Sequence, residues 1–203
     1  MNRSRNIGPE GLPEISRGRK PPVAANEWVR PEGAVENGYS IHPPAMRALV
    51  IGYGNPLRGD DALGLRAADS LAAIPEIAAD PFICIECVHQ LTPELAEVIA
   101  DAEVVIFIDA TAPSPDLPPG SVRCEELAPA SGPSEALGHH LTPAQALAYA
   151  RALFGANPKA FVASIAAASF DYGAPLSPAV TAAIPPLVQW ARERVEARRV
   201  PAI

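Results

Sequence analysis

Two neighbouring carboxylates, Asp60 and Asp61, stand in "ALVIGYGNPLRGDDALGLRAADSL", directly after an apolar run and directly before a helical pattern. A third, Asp109, closes the apolar run "VVIFIDA", and two adjacent histidines, His139 and His140, precede the helical pattern of "LTPAQAL". Carboxylate oxygens with one imidazole nitrogen form a donor set suited to a divalent cation such as zinc, nickel, manganese or iron. Each residue also has a plainer use. An aspartate at a helix start accepts backbone N–H bonds and suits the helix dipole, and Asp60 is the natural cap. A second aspartate is not needed for that, so Asp61 is free to face a cation. Asp109 could simply close a turn, and a loop histidine is often idle.

Apolar run, glycines, then helix is also the outline of a phosphate cradle. The charges argue against that use. Gly52 and Gly54 match the first two glycines of a dinucleotide loop, but Leu57 occupies the third position; Gly54 and Gly59 match a P-loop, but Asp60 and Asp61 stand where lysine and serine or threonine belong. A phosphate wants N–H groups and a cation there. The sequence argues against serine or cysteine hydrolase chemistry too: there is no G-x-S-x-G elbow, and Cys84, Cys87 and Cys124 all lie in strand-like runs. In a strand, the spacing of Cys84 and Cys87 sends their thiols to opposite faces, which argues against a shared metal or disulfide.

These residues need a scaffold that brings chain-distant loops together. From Met46 onward, apolar strands alternate with helices: "RALVIGYG", a helix over "DDALGLRAADSLAAI", "PFICIECVH", a helix opened by Thr92 and Pro93, "EVVIFIDA", an edge strand "SVRCEEL", a helix opened by Thr142 and Pro143, "KAFVASIAA", and a closing helix from Ser177 containing Pro185 and Pro186. This order predicts an α/β fold, a mostly parallel twisted sheet covered by helices on both faces in three layers. Ligands in such sheets bind at the carboxyl ends of the strands, where Asp61 and Asp109 emerge. His89 ends the second strand with no acidic neighbour in sequence, and His42 lies outside the patterned region; neither is a strong candidate.

Residues 1–45 hold seven of the chain's 24 prolines and no periodic run, which predicts a flexible N-terminal extension before a domain spanning 46–203. A net charge of −7 argues against nucleic acid or an anionic membrane as partner. The longest apolar runs are too short to span a bilayer. The N-terminus has no apolar signal core, and Ser4 separates Arg3 from Arg5, so a cytoplasmic location is expected.

At "LVIGYGNPLRGDDALGLR", "HQLTPELAEVIADAEVVIFIDA", "GHHLTPAQALAYARALFG" and "AFVASIAAASFDYGAPLSPAV", in that order, the chain resembles the hydrogenase maturation endopeptidases, the nickel-dependent proteases that process [NiFe]-hydrogenase large subunits. The resemblance covers essentially all of 46–200. It implies that Asp61, Asp109 and His139 contact the metal, that Asp61 or Asp109 assists catalysis, and that Asp60 and His140 are secondary candidates. It further implies that nickel arrives inside the large-subunit precursor, with zinc or cadmium able to take its place, and that the enzyme is a monomer. Ala62 departs from the pattern, since the family usually has glycine after the acidic pair. The competing readings are another small metallohydrolase with a resident ion and a non-catalytic α/β binding module whose acids are caps.

Overall fold

The computed structural model describes residues 46–132 and 141–197. Five strands form one sheet in the order β2-β1-β3-β5-β4: β1 (Met46–Tyr53), β2 (Ile83–Val88), β3 (Ala102–Thr111), β4 (Val122–Leu127) and β5 (Lys159–Ala166). β1, β2, β3 and β5 run parallel, and β4 is the antiparallel edge next to β5. This is the α/β sheet expected from the strand–helix alternation, including the polar edge strand. Both β2 and β3 pair with β1, so the chain leaves β1 on one side and returns on the other. That reversal opens a crevice between the carboxyl ends of β1 and β3.

Side chains along β1 alternate between two cores, as a period of two requires. Ala48 and Val50 join the layer of α1 (Leu63–Ala72), α2 (Pro75–Ala78) and α5 (Pro178–Glu196), with Leu63, Leu71, Val180 and Leu187. Leu49 and Ile51 join the layer of α3 (Leu95–Ala100) and α4 (Pro143–Phe154), with Ile99, Phe107 and Leu147. These side chains are almost fully buried, and each of the valines, leucines, isoleucines and phenylalanine among them contributes about 1.5–3 kcal/mol of apolar burial. The cysteines obey the same rule: Cys84 packs in the α3/α4 core, whereas the Cys87 thiol approaches Asp69 on α1. Burial, then the nearby Glu86 and Asp69 carboxylates, push the two thiols up to about 11 and about 12, so neither is a thiolate nucleophile near neutral pH.

Several expected element starts shift. The expected helix after β1 divides into a 3-10 turn over Gly59–Ala62 and α1, and α2 follows as a separate short helix. The two Thr-Pro openings behave differently. Thr142 forms a complete capping box with Gln145 and places Pro143 at the first helical position, but α3 starts only at Leu95, without a side-chain cap, after a turn in which Leu95 N–H donates to Thr92 O. Thr92 lacks the partner that Gln145 supplies to Thr142, because the residue three positions after it is Leu95. α5 runs unbroken through Pro185 and Pro186. Both prolines are on its exposed side, where water can serve the carbonyls that lose their donors. Among the described residues, no helix is long and apolar enough to cross a membrane.

Candidate active site

α1 approaches the sheet more closely than a side chain would permit. A Cβ on Gly64 would lie 2.3 Å from the Tyr53 carbonyl oxygen and 2.4 Å from that of Ile108. Glycine there lets the helix start press onto the ends of both β1 and β3, which brings the 3-10 turn carrying Asp61 beside Asp109. Gly54 completes the approach: it has φ +136°, and a Cβ on it would lie 1.9 Å from the Asp61 carbonyl oxygen. Ala62, by contrast, has φ −71° and ψ −9°, an ordinary helical conformation. Its methyl group therefore leaves the backbone path of the loop undisturbed.

The resulting cleft has a volume of about 410 Å³ and is open to solvent. Asp61 and Asp109 both line it, with Tyr53, Arg58, His89 and Leu141. Asp61 Oδ2 accepts the Asn55 N–H at 3.0 Å, and Asp109 Oδ1 accepts the Ala110 N–H at 2.8 Å. The Tyr53 hydroxyl also donates to the Asp109 carboxylate. Burial pushes the Asp109 carboxyl up to about 7, and the negative charge of Asp61 adds to the rise, against the opposing hydrogen bonds from Ala110 and Tyr53. Burial, then the charge of Asp109, raises the Tyr53 phenol far above its ordinary value, so it stays a donor.

Asp60 points the other way. It is fully buried and caps no part of its own turn. Its Oδ2 accepts the N–H groups of Ala168 (2.7 Å) and Ser169 (3.1 Å), and its Oδ1 accepts that of Ser177 (2.6 Å). Burial alone would raise its pKa, but these backbone donors and the Ser177 hydroxyl outweigh it and hold the carboxyl below its ordinary range. The capping expectation is thus corrected: Asp60 ties the β1 loop to the β5–α5 loop, and neither of its oxygens faces the cleft.

No family model and no curated protein sequence matches the chain. Solved structures do. The hydrogenase maturating endopeptidase HybD from E. coli is 25% identical, with TM-score 0.58 over 78% of this chain and 97% of that one. The [NiFe] hydrogenase maturation protease HybD from Thermococcus kodakarensis is also 25% identical, with TM-score 0.52 over 74% and 99%. The chain resembles the hydrogenase maturation endopeptidases in fold and in sequence. The maturation protease HycI from T. kodakarensis KOD1, 21% identical with TM-score 0.57 over 74% and 93%, shares the fold.

On this likeness the chain is a peptidase, and the acid-lined crevice is its candidate catalytic site. Of the expected residues, Asp61 and Asp109 come together there, while Asp60 does not. His139 and His140 lie outside the described residues. Among the described residues, no three histidine, cysteine or acidic side chains stand close enough to hold a metal ion, so the two aspartates need a further donor to complete a cation site. Three cleft residues were not legible as candidates. Tyr53 reads as the last residue of a strand, Arg58 as a loop cation, and His89 as an isolated strand-end histidine. Tyr53 and Arg58 share the end of β1, and the pairing of β2 with β1 brings His89 to the same opening.

Proposed function

We propose that this endopeptidase removes the C-terminal extension of a [NiFe]-hydrogenase large-subunit precursor after nickel insertion, using the bound nickel as its recognition mark. One observation carries the reading: two aspartates from different loops meet in an open cleft at the carboxyl ends of β1 and β3, a charge arrangement suited to a cation and hostile to a phosphate. Nickel enters as part of the substrate, with Asp61, Asp109 and His139 as its contacts on this chain and zinc or cadmium able to stand in for it. The described chain resumes after His139 and His140 at Leu141, which lines the cleft. The cation supplies Lewis acidity toward the scissile carbonyl. Asp61 or Asp109 takes the proton from the attacking water.

The test is incubation of the full-length chain with nickel-loaded and nickel-free precursor, followed by the mass of the large subunit. The nickel-loaded precursor alone should be shortened. Asp61→Asn and His139→Ala should fold normally and leave it uncut; unimpaired cleavage by either would discredit the assignment.

A further inference from the structure

We propose that Arg58 stabilises the oxyanion that forms when the peptide bond in this cleft is attacked, an inference that rests on the peptidase reading above. The oxygen of water bonds to the carbonyl carbon while the carbonyl π pair moves onto its oxygen. A cleft carboxylate takes the water proton and returns it to the leaving nitrogen as the C–N bond breaks, giving a new carboxyl group and a free amine. Negative charge therefore develops on the carbonyl oxygen that the substrate's cation polarises, and any further share of that charge must be met by a cation of the cleft itself. Arg58 is the only arginine or lysine among the described residues that line the cleft.

Its guanidinium is held for this task. Arg58 Nε donates to the Phe170 carbonyl at 3.3 Å, which uses one of five N–H donors, and none of the ion pairs among the described residues involves Arg58. The support beneath it is rigid. Arg58 O accepts the Asp61 N–H at 3.0 Å, Leu57 O accepts the Gly173 N–H at 2.8 Å, and the buried Asp60 carboxylate binds both ends of the same β5–α5 loop. The loop after β1 and the loop after β5 thus form one rim, with the guanidinium anchored across it. Arg58 is exposed in the free protein; a client seated over the rim would remove that water, the condition under which a fixed cation acts most strongly on developing charge.

The experiment measures single-turnover cleavage of nickel-loaded precursor over a range of full-length enzyme concentrations. Arg58→Ala should lower the saturating rate by about 100- to 1000-fold, with the half-saturating concentration within about twofold of the parent. Added guanidinium ion should restore part of the rate to Arg58→Ala while leaving the parent unchanged. Arg58→Lys, which keeps the charge but loses the Nε anchor, should fall between the two. A saturating rate equal to the parent's, or a loss confined to the half-saturating concentration, overturns the proposal. If the parent itself leaves the precursor intact, the functional reading fails and takes this inference with it.

Discussion

Replacing Asp60 and Asp61 one at a time separates two carboxylates that look equivalent in sequence. Asp60→Ala removes the acceptor of three backbone N–H groups in a position with no solvent access. Each orphaned buried donor costs about 1–3 kcal/mol. Local relaxation of the β5–α5 loop recovers part of that, so the net loss should be about 3–5 kcal/mol. Set against a typical domain stability of about 5–15 kcal/mol, this is a fall in melting temperature of about 10 °C. Asp61→Ala removes one acceptor at the cleft, for Asn55 N–H, and should cost no more than about 1.5 kcal/mol. Urea unfolding followed by circular dichroism measures both. The pH dependence gives a second check. Because folding lowers the Asp60 pKa from 3.8, its contribution is complete above that value and is lost as pH falls through the folded one. The deficit of Asp60→Ala relative to the parent should therefore shrink in acid. Equal destabilisation by the two variants, or less than about 1 kcal/mol for Asp60→Ala, would refute the assignment of Asp60 to the scaffold.

Folding raises the Asp109 carboxyl from 3.8 to about 7, so the folded chain holds that proton more tightly than the unfolded chain. Stability contributed at this site falls as pH rises through that window; Asp109→Asn should be more stable than the parent at pH 8, by denaturant titration, although it should not cleave. In the free protein the Asp109 carboxyl should titrate at about 7, and Tyr53→Phe, which removes a hydrogen bond that favours the ionised carboxylate, should move that midpoint to higher pH in an NMR titration; an unmoved midpoint would refute the pairing. Thr142→Ala should lower stability by about 1 kcal/mol through loss of its cap, whereas Thr92→Ala should change thermal unfolding little, because Thr92 does not cap α3.

The amino-acid order by itself determined the architecture and half of the cleft. Apolar runs such as Val104–Ile108 mark buried strands because both their faces must leave water, and their ends announce where Asp61 and Asp109 emerge. Polar interleaving in Val122–Leu127 likewise marked β4 as the edge. These signals are local, carried by periodicity and by residue types within a few positions. What the two neighbouring aspartates do was decided only in three dimensions. The partners of Asp60 lie 108 to 117 positions away, and no local pattern encodes hydrogen bonds across that separation. The same holds for His89, which follows β2 and reaches the cleft lined by Tyr53 and Arg58 because β2 pairs with β1. It holds too for the acidity of Asp109, which depends on burial and on a charge from another loop. Short-range chemistry chooses the elements, and long-range packing chooses which of their side chains meet.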